Sequence, residues 1–214
     1  VEGIFISHEH SDHIAGLQQL LKRFDIPVYT KQGTWREIQD KLVVPKNQLI
    51  ELTKGSLTLG NLIVEPFAVS HDAADPIGIN VFSGKDKATV VTDTGIISDD
   101  ILHRIDDSTL LVLEANYDPH MLRFGPYQPF LKQRVASDEG HLSNEMAAQT
   151  LLMMKRPDFM QVILAHRSEN NNNAVLVTQT IGKMLVDGGV RIGPEMKLQH
   201  GQPNEIVSMQ SIKR

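Results

Sequence analysis

Five short apolar runs along this chain each end, within two residues, in a side chain that can bind a metal ion. Strand ends that carry polar residues are where α/β folds place binding and catalytic groups. A single Asp or His after a strand is commonly only a turn residue, but five in series are hard to explain as turns. The side chains delivered in this way are His8, His71, Asp93, Glu114 and His166.

The first of these runs leads into the densest group of potential ligands, the segment His8-Glu9-His10-Ser11-Asp12-His13. In extended backbone, residues two apart point the same way, so His8 and His10 present both imidazoles to one side. Asp12 and His13 lie where a helical pattern begins, and an Asp at a helix start is favoured as a cap and by the helix dipole. The second pair is aimed at a different point from the first. This segment can therefore serve two adjacent cations.

The composition limits both chemistry and partners. With 214 residues and no linker that marks a boundary, residues 1–214 are interpreted as one domain. The chain has no cysteine, which excludes disulfides and thiolate ligands. It shows no apolar run of the roughly 18 residues that span a membrane and no secretion signal, so we expect a cytoplasmic protein without a membrane partner. The net charge of −5 argues against phosphate binding over the whole surface, but not against a local basic groove.

Strands alternate with helices, and the continuous apolar strands suit burial between layers. This pattern predicts an α/β sandwich with helix, sheet, sheet and helix layers. Within it we expect a hairpin-like turn at Lys54-Gly55, helices over residues 144–155 and 174–186, and one or two edge strands over residues 196–209.

The order of the potential ligands carries a resemblance to a known group of proteins. The string His-x-His-x-Asp-His, followed by His71, Asp93 and His166, resembles the signature of the metallo-β-lactamase superfamily. The resemblance implies a four-layer αββα sandwich and two divalent metal sites bridged by Asp93. The ligands implied are His8, His10 and His71 for one ion, and Asp12, His13 and His166 for the other. Imidazole and carboxylate without sulfur suit Zn²⁺, Mn²⁺ or Fe, and the sequence does not choose among them.

A histidine between Asp93 and His166 in the order points to the nuclease branches of the superfamily. These branches, such as ribonuclease Z, have a histidine there that protonates the leaving oxygen. The resemblance places His141 in that role, with Glu114 as its partner. The alternative is a histidine at a helix entry that bonds only to backbone. The catalytic residues expected from the resemblance are His141, Asp12 and Glu114.

Several further motifs extend the resemblance over essentially all 214 residues. They are His71-Asp72-Ala73-Ala74-Asp75-Pro76, Glu114-Ala115-Asn116-Tyr117-Asp118, Gly125-Pro126-Tyr127, Leu131-Lys132, Gly140-His141-Leu142-Ser143-Asn144 and Ser168-Glu169-Asn170-Asn171. These motifs look like the YycJ/WalJ (VicX) family, metal-dependent exonucleases described as acting on double-stranded DNA from the 5′ end. Members of that family have further strands before the histidine cluster. This chain begins inside a predicted strand, so we expect it to be N-terminally truncated.

The resemblance implies a metal-dependent phosphodiesterase, a 5′-to-3′ exonuclease on double-stranded DNA that uses hydroxide held by two metals to attack phosphorus. Three alternatives stay open. An RNA-processing endonuclease of the ribonuclease Z type would use a protruding arm, and no long insertion here could form one. A thioesterase or lactonase acting on small molecules would need no leaving-group histidine. A non-catalytic regulatory module would not need the intact ligand set. The oligomeric state is not indicated.

Aromatic and basic residues crowd together between residues 117 and 134 of a chain poor in aromatics. They are Tyr117, Phe124, Tyr127 and Phe130, interleaved with Arg123, Lys132 and Arg134. Such groups favour unpaired bases and phosphates, although the same residues can equally form a packed lid over the site. Arg167, next to His166, can contact phosphate, and the run Asn170–Asn173 is interpreted as a polar loop. The substrate-binding residues expected are Tyr127, Lys132, Arg134, Arg167 and Ser168.

Overall fold

The computed structural model describes residues 1–53, 55–202 and 205–208. In these ranges the strands are β1 (Ile4–Phe5), β2 (Val28–Thr30), β3 (Leu49–Glu51), β4 (Leu57–Leu59), β5 (Leu62–Ala68), β6 (Ile77–Ser83), β7 (Asp86–Val91), β8 (Leu110–Glu114), β9 (Met160–Ala165) and β10 (Met196–His200). The helices are α1 (Ser11–Ile14), α2 (Leu17–Leu21), α3 (Gln32–Gln39), α4 (Asp99–Ile105), α5 (Pro119–Phe124), α6 (Pro129–Val135), α7 (Asn144–Met153) and α8 (Ala174–Asp187). None of the helices described is long and apolar enough to cross a membrane.

The strands form two sheets. The first sheet has the parallel order β1-β2-β3, and the second has the order β10-β9-β8-β7-β6-β5-β4. In the second sheet, β4 to β7 pair antiparallel, whereas β7 to β10 are parallel neighbours. Because β7, β8 and β9 run the same way, their carboxyl ends meet at one edge of the sheet. That edge brings Asp93, Glu114 and His166 together.

Three clusters of buried apolar side chains give the order of the layers. One cluster, which includes Trp35, joins α1, α2 and α3 to the first sheet. A second, with Tyr29 and Ile77, joins the first sheet to the second. The third and largest, which includes Leu111 and Ile181, joins the second sheet to α4, α7 and α8. The predicted helix, sheet, sheet and helix layers are confirmed.

Polar side chains fix the beginnings of three helices near the edge that carries the site. Asp118, Ser143 and Asn173 each accept a hydrogen bond from a backbone N–H in the first turn of α5, α7 and α8, at 2.8, 3.2 and 3.0 Å. Such a bond satisfies an N–H group that has no partner within the helix. The cap at Ser143 confirms the helix start predicted there.

Some predicted elements differ in the structure. The turn at Lys54-Gly55 does not close a hairpin, because β3 and β4 belong to different sheets, and Lys54 lies outside the described residues. The helix predicted over residues 144–155 ends at Met153, whereas the one over residues 174–186 is confirmed as α8. In the tail, β10 is an edge strand of the second sheet. Residues 201, 202 and 205–208 form no strand, and residues 203, 204 and 209 lie outside the described part of the chain.

Candidate metal centre

Four of the seven predicted ligands, His10, Asp12, Asp93 and His166, line a cleft of about 550 Å³ at the carboxyl edge of the second sheet. The other three, His8, His13 and His71, lie within ligand distance of these four. Within several sets of these residues, one candidate ligand atom from each member lies within 4.8 Å of the others. The sets are His8, His10 and His71; Asp12, His13 and His166; His8, His13 and Asp93; and Asp93, Glu114, His141 and His166. The first two sets coincide with the two sites that the sequence resemblance implies.

The first set is held by the segment after β1 and by the loop after β5. His10 Nδ1 lies 3.2 Å from His71 Nε2, and the His8 ring centroid lies 4.6 Å and 4.9 Å from those of His10 and His71. His71 Nδ1 is 3.1 Å from the carbonyl oxygens of both Glu139 and Gly140. Because a carbonyl oxygen only accepts, Nδ1 carries the hydrogen and donates it. His71 Nε2 therefore presents a lone pair to the cleft.

The second set lies beside Asp93. Asp12 Oδ2 is 3.6 Å from His13 Nε2 and from His166 Nε2, and His13 Nε2 is 3.4 Å from Asp93 Oδ2. The other Asp93 oxygen, Oδ1, lies 3.8 Å from His71 Nε2 in the first set. Oδ1 is also 3.4 Å from His166 Nδ1 in the second set. Asp93 thus lies between the two sets, with both oxygens near the second set and Oδ1 near the first as well.

The electrostatics of the cluster suit a bound cation. Burial, with the neighbouring imidazole of His13, lowers the pKa of His8 to about 3. Burial alone would raise the pKa of Asp93, but contact with His13 and the charge of His166 bring it below its ordinary value. His8 Nε2 and Asp93 Oδ2 are buried and accept no hydrogen bond from the described residues. Because unpaired buried polar atoms are costly, a neutral imidazole and a carboxylate left in this state fit a metal ion.

The backbone at two strand ends is unusual. Asp93 and His166 are non-glycine residues with φ of 57° and 52°, a left-handed conformation that is sparsely populated and recurs at functional sites. The capping role predicted for Asp12 is wrong. α1 begins at Ser11, with His10 at its N-cap and no side-chain cap. Asp12 lies in the first turn, where the predicted interaction with the helix dipole holds, and it lines the cleft.

Glu114 joins the proposed acid to a proposed metal ligand. Its buried Oε1 accepts hydrogen bonds from His141 Nδ1 at 2.8 Å and from His166 Nδ1 at 2.7 Å. Its Oε2 accepts from the backbone N–H groups of Thr94 and Leu142, at 3.2 and 3.1 Å. Burial would raise the pKa of Glu114, but the two histidine hydrogen bonds lower it. The ionised carboxylate fixes the tautomer of both imidazoles, so that each turns Nε2 away from Glu114.

The same contact changes the protonation of His166. Burial alone would lower the pKa of His166, but the hydrogen bond to Glu114 and the charge of Asp93 raise it to about 9. The metal-free imidazole is therefore protonated at pH 7. A metal ion that binds Nε2 must displace this proton.

Two of the predicted substrate-binding residues line the cleft and a third does not. Tyr127 and Arg134 line it together with the metal ligands. The Arg134 guanidinium forms two hydrogen bonds with the carboxylate of Asp72, one of them from Nη2 to Oδ1 at 3.0 Å. Lys132 is not among the residues that line the cleft, and its Nζ donates to the backbone oxygen of Arg123 at 2.8 Å.

The other two lie in a separate cavity of about 530 Å³ at the beginning of α8. Arg167 and Ser168 line that cavity, which shares His166 with the cleft. The loop Asn170–Asn173 is more than the polar connection expected from the sequence. Asn171 and Asn172 are buried, and Asn172 Nδ2 donates to the backbone oxygens of Ala115 and Asn116, at 3.0 and 3.1 Å.

Sequence reasoning missed two residues that hold the ligand segments in place. The Glu9 side chain is buried, and its Oε1 accepts a hydrogen bond from the backbone N–H of Ala74 at 2.8 Å. Lys41 lines the cleft and donates to the backbone oxygen of Glu9 at 3.0 Å. Glu9 fastens the segment of His8 and His10 to the loop that carries His71. Its place between two ligands is the one signal in the sequence that could have identified it.

Comparisons with known proteins identify the family and the fold. The family described as "Beta-lactamase superfamily domain" matches residues 1–166. The exodeoxyribonuclease YycJ of Bacillus anthracis is 34% identical over 214 residues, which are 99% of this chain and 81% of that protein. The exodeoxyribonuclease WalJ of Streptococcus pneumoniae is 30% identical over 217 residues, covering 99% of this chain and 80% of WalJ. Among solved structures, the metallo-β-lactamase fold protein YhfI of Bacillus subtilis aligns with a TM-score of 0.68 and 16% identity, over 92% of this chain and 75% of YhfI.

Proposed function

This chain belongs to the metallo-β-lactamase superfamily and, within it, to the YycJ/WalJ exonuclease family, and from that premise we propose that it degrades double-stranded DNA in the 5′-to-3′ direction. The fold implies that it binds divalent metal, and its relatives support a metal-dependent hydrolase of the nuclease class. The proposal adds the substrate, the direction of digestion, the number of ions and the roles of the residues.

The observation that carries the proposal is the convergence of seven imidazole and carboxylate ligands beside a histidine that is not needed as a ligand. His141 is hydrogen-bonded through Nδ1 to Glu114, and its side chain is 17% exposed where it lines the cleft. A thioesterase does not need a proton donor there, because a thiolate leaves readily without a proton. Hydrolysis of a phosphodiester needs one, because the departing sugar oxygen is a poor leaving group without a proton.

Each part of the cluster has its own role. Two ions, Zn²⁺, Mn²⁺ or Fe, would lower the pKa of a bound water and stabilise negative charge on an attacked phosphorus. One ion would be held by His8, His10 and His71. The other would be held by Asp12, His13 and His166, and Asp93 would contribute to both sites.

His141 acts on the substrate directly. Glu114 accepts its Nδ1 hydrogen, so Nε2 is turned toward the cleft, where the protonated ring gives its proton to the departing 3′ oxygen. The product keeps a 5′-phosphate. Tyr127 and Arg134 contact the strand on the other wall of the cleft. Arg134 can exchange the Asp72 carboxylate for a phosphate, because both are anions that fit its planar guanidinium.

The substrate and direction are tested with one set of assays on the metal-loaded protein. Duplex DNA labelled at either end, precursor tRNA and a thioester are compared side by side. We expect the 5′ label to be released as mononucleotides before the 3′ label. Processing of precursor tRNA without digestion of DNA would favour the ribonuclease Z alternative. Turnover of the thioester alone would favour a small-molecule hydrolase.

The role of His141 is tested by His141→Ala. We expect elemental analysis to find two ions per chain in wild type and variant alike, whereas the turnover number on DNA falls about 10²- to 10⁴-fold. The matched control is His103→Ala, because His103 is 79% exposed on α4 and outside the cleft. Near-full activity in His141→Ala would mean that the proton donor is another group.

A further inference from the structure

Two phenylalanines in the α5–α6 segment, which supplies Tyr127 and Leu131 to the cleft, are exposed in a way that the packing of this segment does not explain. Phe124 ends α5 and is 67% exposed, and Phe130 lies in the first turn of α6 and is 70% exposed. The α5–α6 segment has a core of its own, formed by Tyr117, Leu122 and Val135 with Tyr127 and Leu131. That core leaves both phenylalanines outside. Exposed large apolar groups next to a functional cleft commonly mark a binding surface.

The position of this pair connects it with the cleft. Phe124 and Phe130 stand three residues on either side of Tyr127, which lines the cleft. The turn between them packs closely against its surroundings at Gly125. A Cβ atom at this position would lie 2.7 Å from Asn171 Oδ1 and 2.5 Å from the backbone oxygen of Met121. The two rings are therefore presented from a fixed support.

The charge around the pair suits a polyanion. Residues 119–135 contain three Lys or Arg and no Asp or Glu, in a chain of net charge −5. Arg134 is paired with the carboxylate of Asp72, which leaves Arg123 and Lys132 as the other two cations of this segment. The Arg123 guanidinium lies 5.3 Å from the centroid of the Phe124 ring. Exposed aromatic faces among cations are the combination that binds single-stranded nucleic acid, since bases stack on the rings and phosphates pair with the cations.

We propose that Phe124 and Phe130 form a stacking surface for unpaired bases of the DNA strand that enters the cleft. This inference rests on the proposed function and adds how the substrate end is held. A base can stack on an aromatic side chain only when the face of the base is free. Bases have a free face in unpaired nucleotides and at the end of a duplex. The stacking surface thus favours a frayed end and holds it while the terminal phosphodiester reaches the metal centre.

The test compares two double variants. Phe124→Leu with Phe130→Leu keeps apolar bulk without an aromatic face, and Phe124→Trp with Phe130→Trp restores the face. We expect the leucine variant to lose about tenfold or more in kcat/KM on duplex DNA. On the same duplex with abasic nucleotides at its 5′ end, which leave no base to stack, we expect the leucine variant to stay within about threefold of wild type. The tryptophan variant is expected to stay within about threefold of wild type on DNA. The matched control is Phe24→Leu, an exposed phenylalanine after Lys22 and Arg23 that does not line the cleft.

A second readout is independent of turnover. With a chelator present, DNA that carries 2-aminopurine in an unpaired 5′ end should lose fluorescence on binding to wild type and to the tryptophan variant, but not to the leucine variant. Equal kcat/KM and equal quenching in the leucine variant would overturn the stacking surface while the proposed function stands. A dimer of the wild type in sedimentation that the leucine variant loses would assign the pair to a contact between copies and overturn it as well. If the wild type digests no DNA, the proposed function fails and this inference fails with it.

Discussion

Glu114 makes four hydrogen bonds as an acceptor and none as a donor. Two come from the imidazoles of His141 and His166, and two from backbone N–H groups. Glutamine has the same shape but a single oxygen. In Glu114→Gln the amide NH₂ must therefore face one of these pairs of donors. Removing an acceptor from a buried group that is otherwise satisfied costs about 1–3 kcal/mol.

We expect Glu114→Gln to fold with a lower melting temperature, to bind metal about 10- to 100-fold more weakly, and to lose turnover on DNA. The loss of metal affinity arises because His166 is no longer oriented, and the loss of turnover because His141 is not. Metal titration and steady-state assays separate the two effects. The control is Glu37→Gln on the exposed face of α3. Unchanged metal affinity in Glu114→Gln would show that His166 is oriented by other contacts, such as the hydrogen bond that Asn116 Nδ2 donates to the His166 backbone oxygen at 2.7 Å.

Helix α7 begins two residues after the His141–Leu142 pair that contacts Glu114. The start of this helix therefore helps to position His141. The Ser143 hydroxyl accepts a hydrogen bond from the backbone N–H of Met146 at 3.2 Å. A second serine, Ser98, caps α4 in the same way, with a bond from Ile101 N at 3.3 Å. The two caps are chemically alike, but the one at Ser98 is exposed and outside the cleft.

We expect Ser143→Ala and Ser98→Ala each to lower the free energy of unfolding by about 1 kcal/mol, measured by urea denaturation. Only Ser143→Ala should also reduce the turnover number on DNA, because fraying at the start of α7 moves His141 relative to the ligands. If both variants keep full activity, the position of His141 depends on Glu114, at the carboxyl edge of the second sheet, rather than on the helix start.

At the scale of the whole molecule, the sequence predicts what depends on neighbours in the chain. The spacing of His8 and His10, the helix start at Asn144 and the layer order follow from periodicity and local sequence patterns, and they hold in the structure. Contacts between distant segments do not follow. Glu9 meets Ala74 across 65 residues and Arg134 meets Asp72 across 62, and nothing local encodes either pairing. The predicted hairpin at Lys54-Gly55 is wrong for the same reason, because turn residues do not specify which sheet the next strand joins.

The metal centre also determines how stability depends on pH. In the metal-free protein, His8 has a pKa of about 3, below its unfolded value of 6.5. The unfolded chain therefore takes up a proton between pH 6.5 and 3 that the folded protein does not, and stability falls as the pH falls through this range. His166 behaves in the opposite way, with a folded pKa of about 9. The stability that His166 contributes to the folded protein is fully present below pH 6.5 and is lost as the pH rises through 9.

These two shifts predict that the chelated protein is most stable near pH 6.5 and loses stability on both sides. Metal binds the folded state, so adding it at about 100 times its dissociation constant should add roughly 2.7 kcal/mol, or about 5–10 °C in melting temperature. At one fixed metal concentration the gain should be larger at pH 10 than at pH 6, because the proton on His166, whose pKa is about 9, competes with the metal at the lower pH. Melting curves from pH 4 to 10, with chelator or with Mn²⁺, measure both effects.

In Glu114→Gln the loss of stability at alkaline pH should shrink, since the hydrogen bond that raises the pKa of His166 is weakened. A melting temperature of the chelated wild type that stays flat from pH 4 to 10 would mean that His8 and His166 titrate as they do in the unfolded chain, and that the buried cluster does not form without metal.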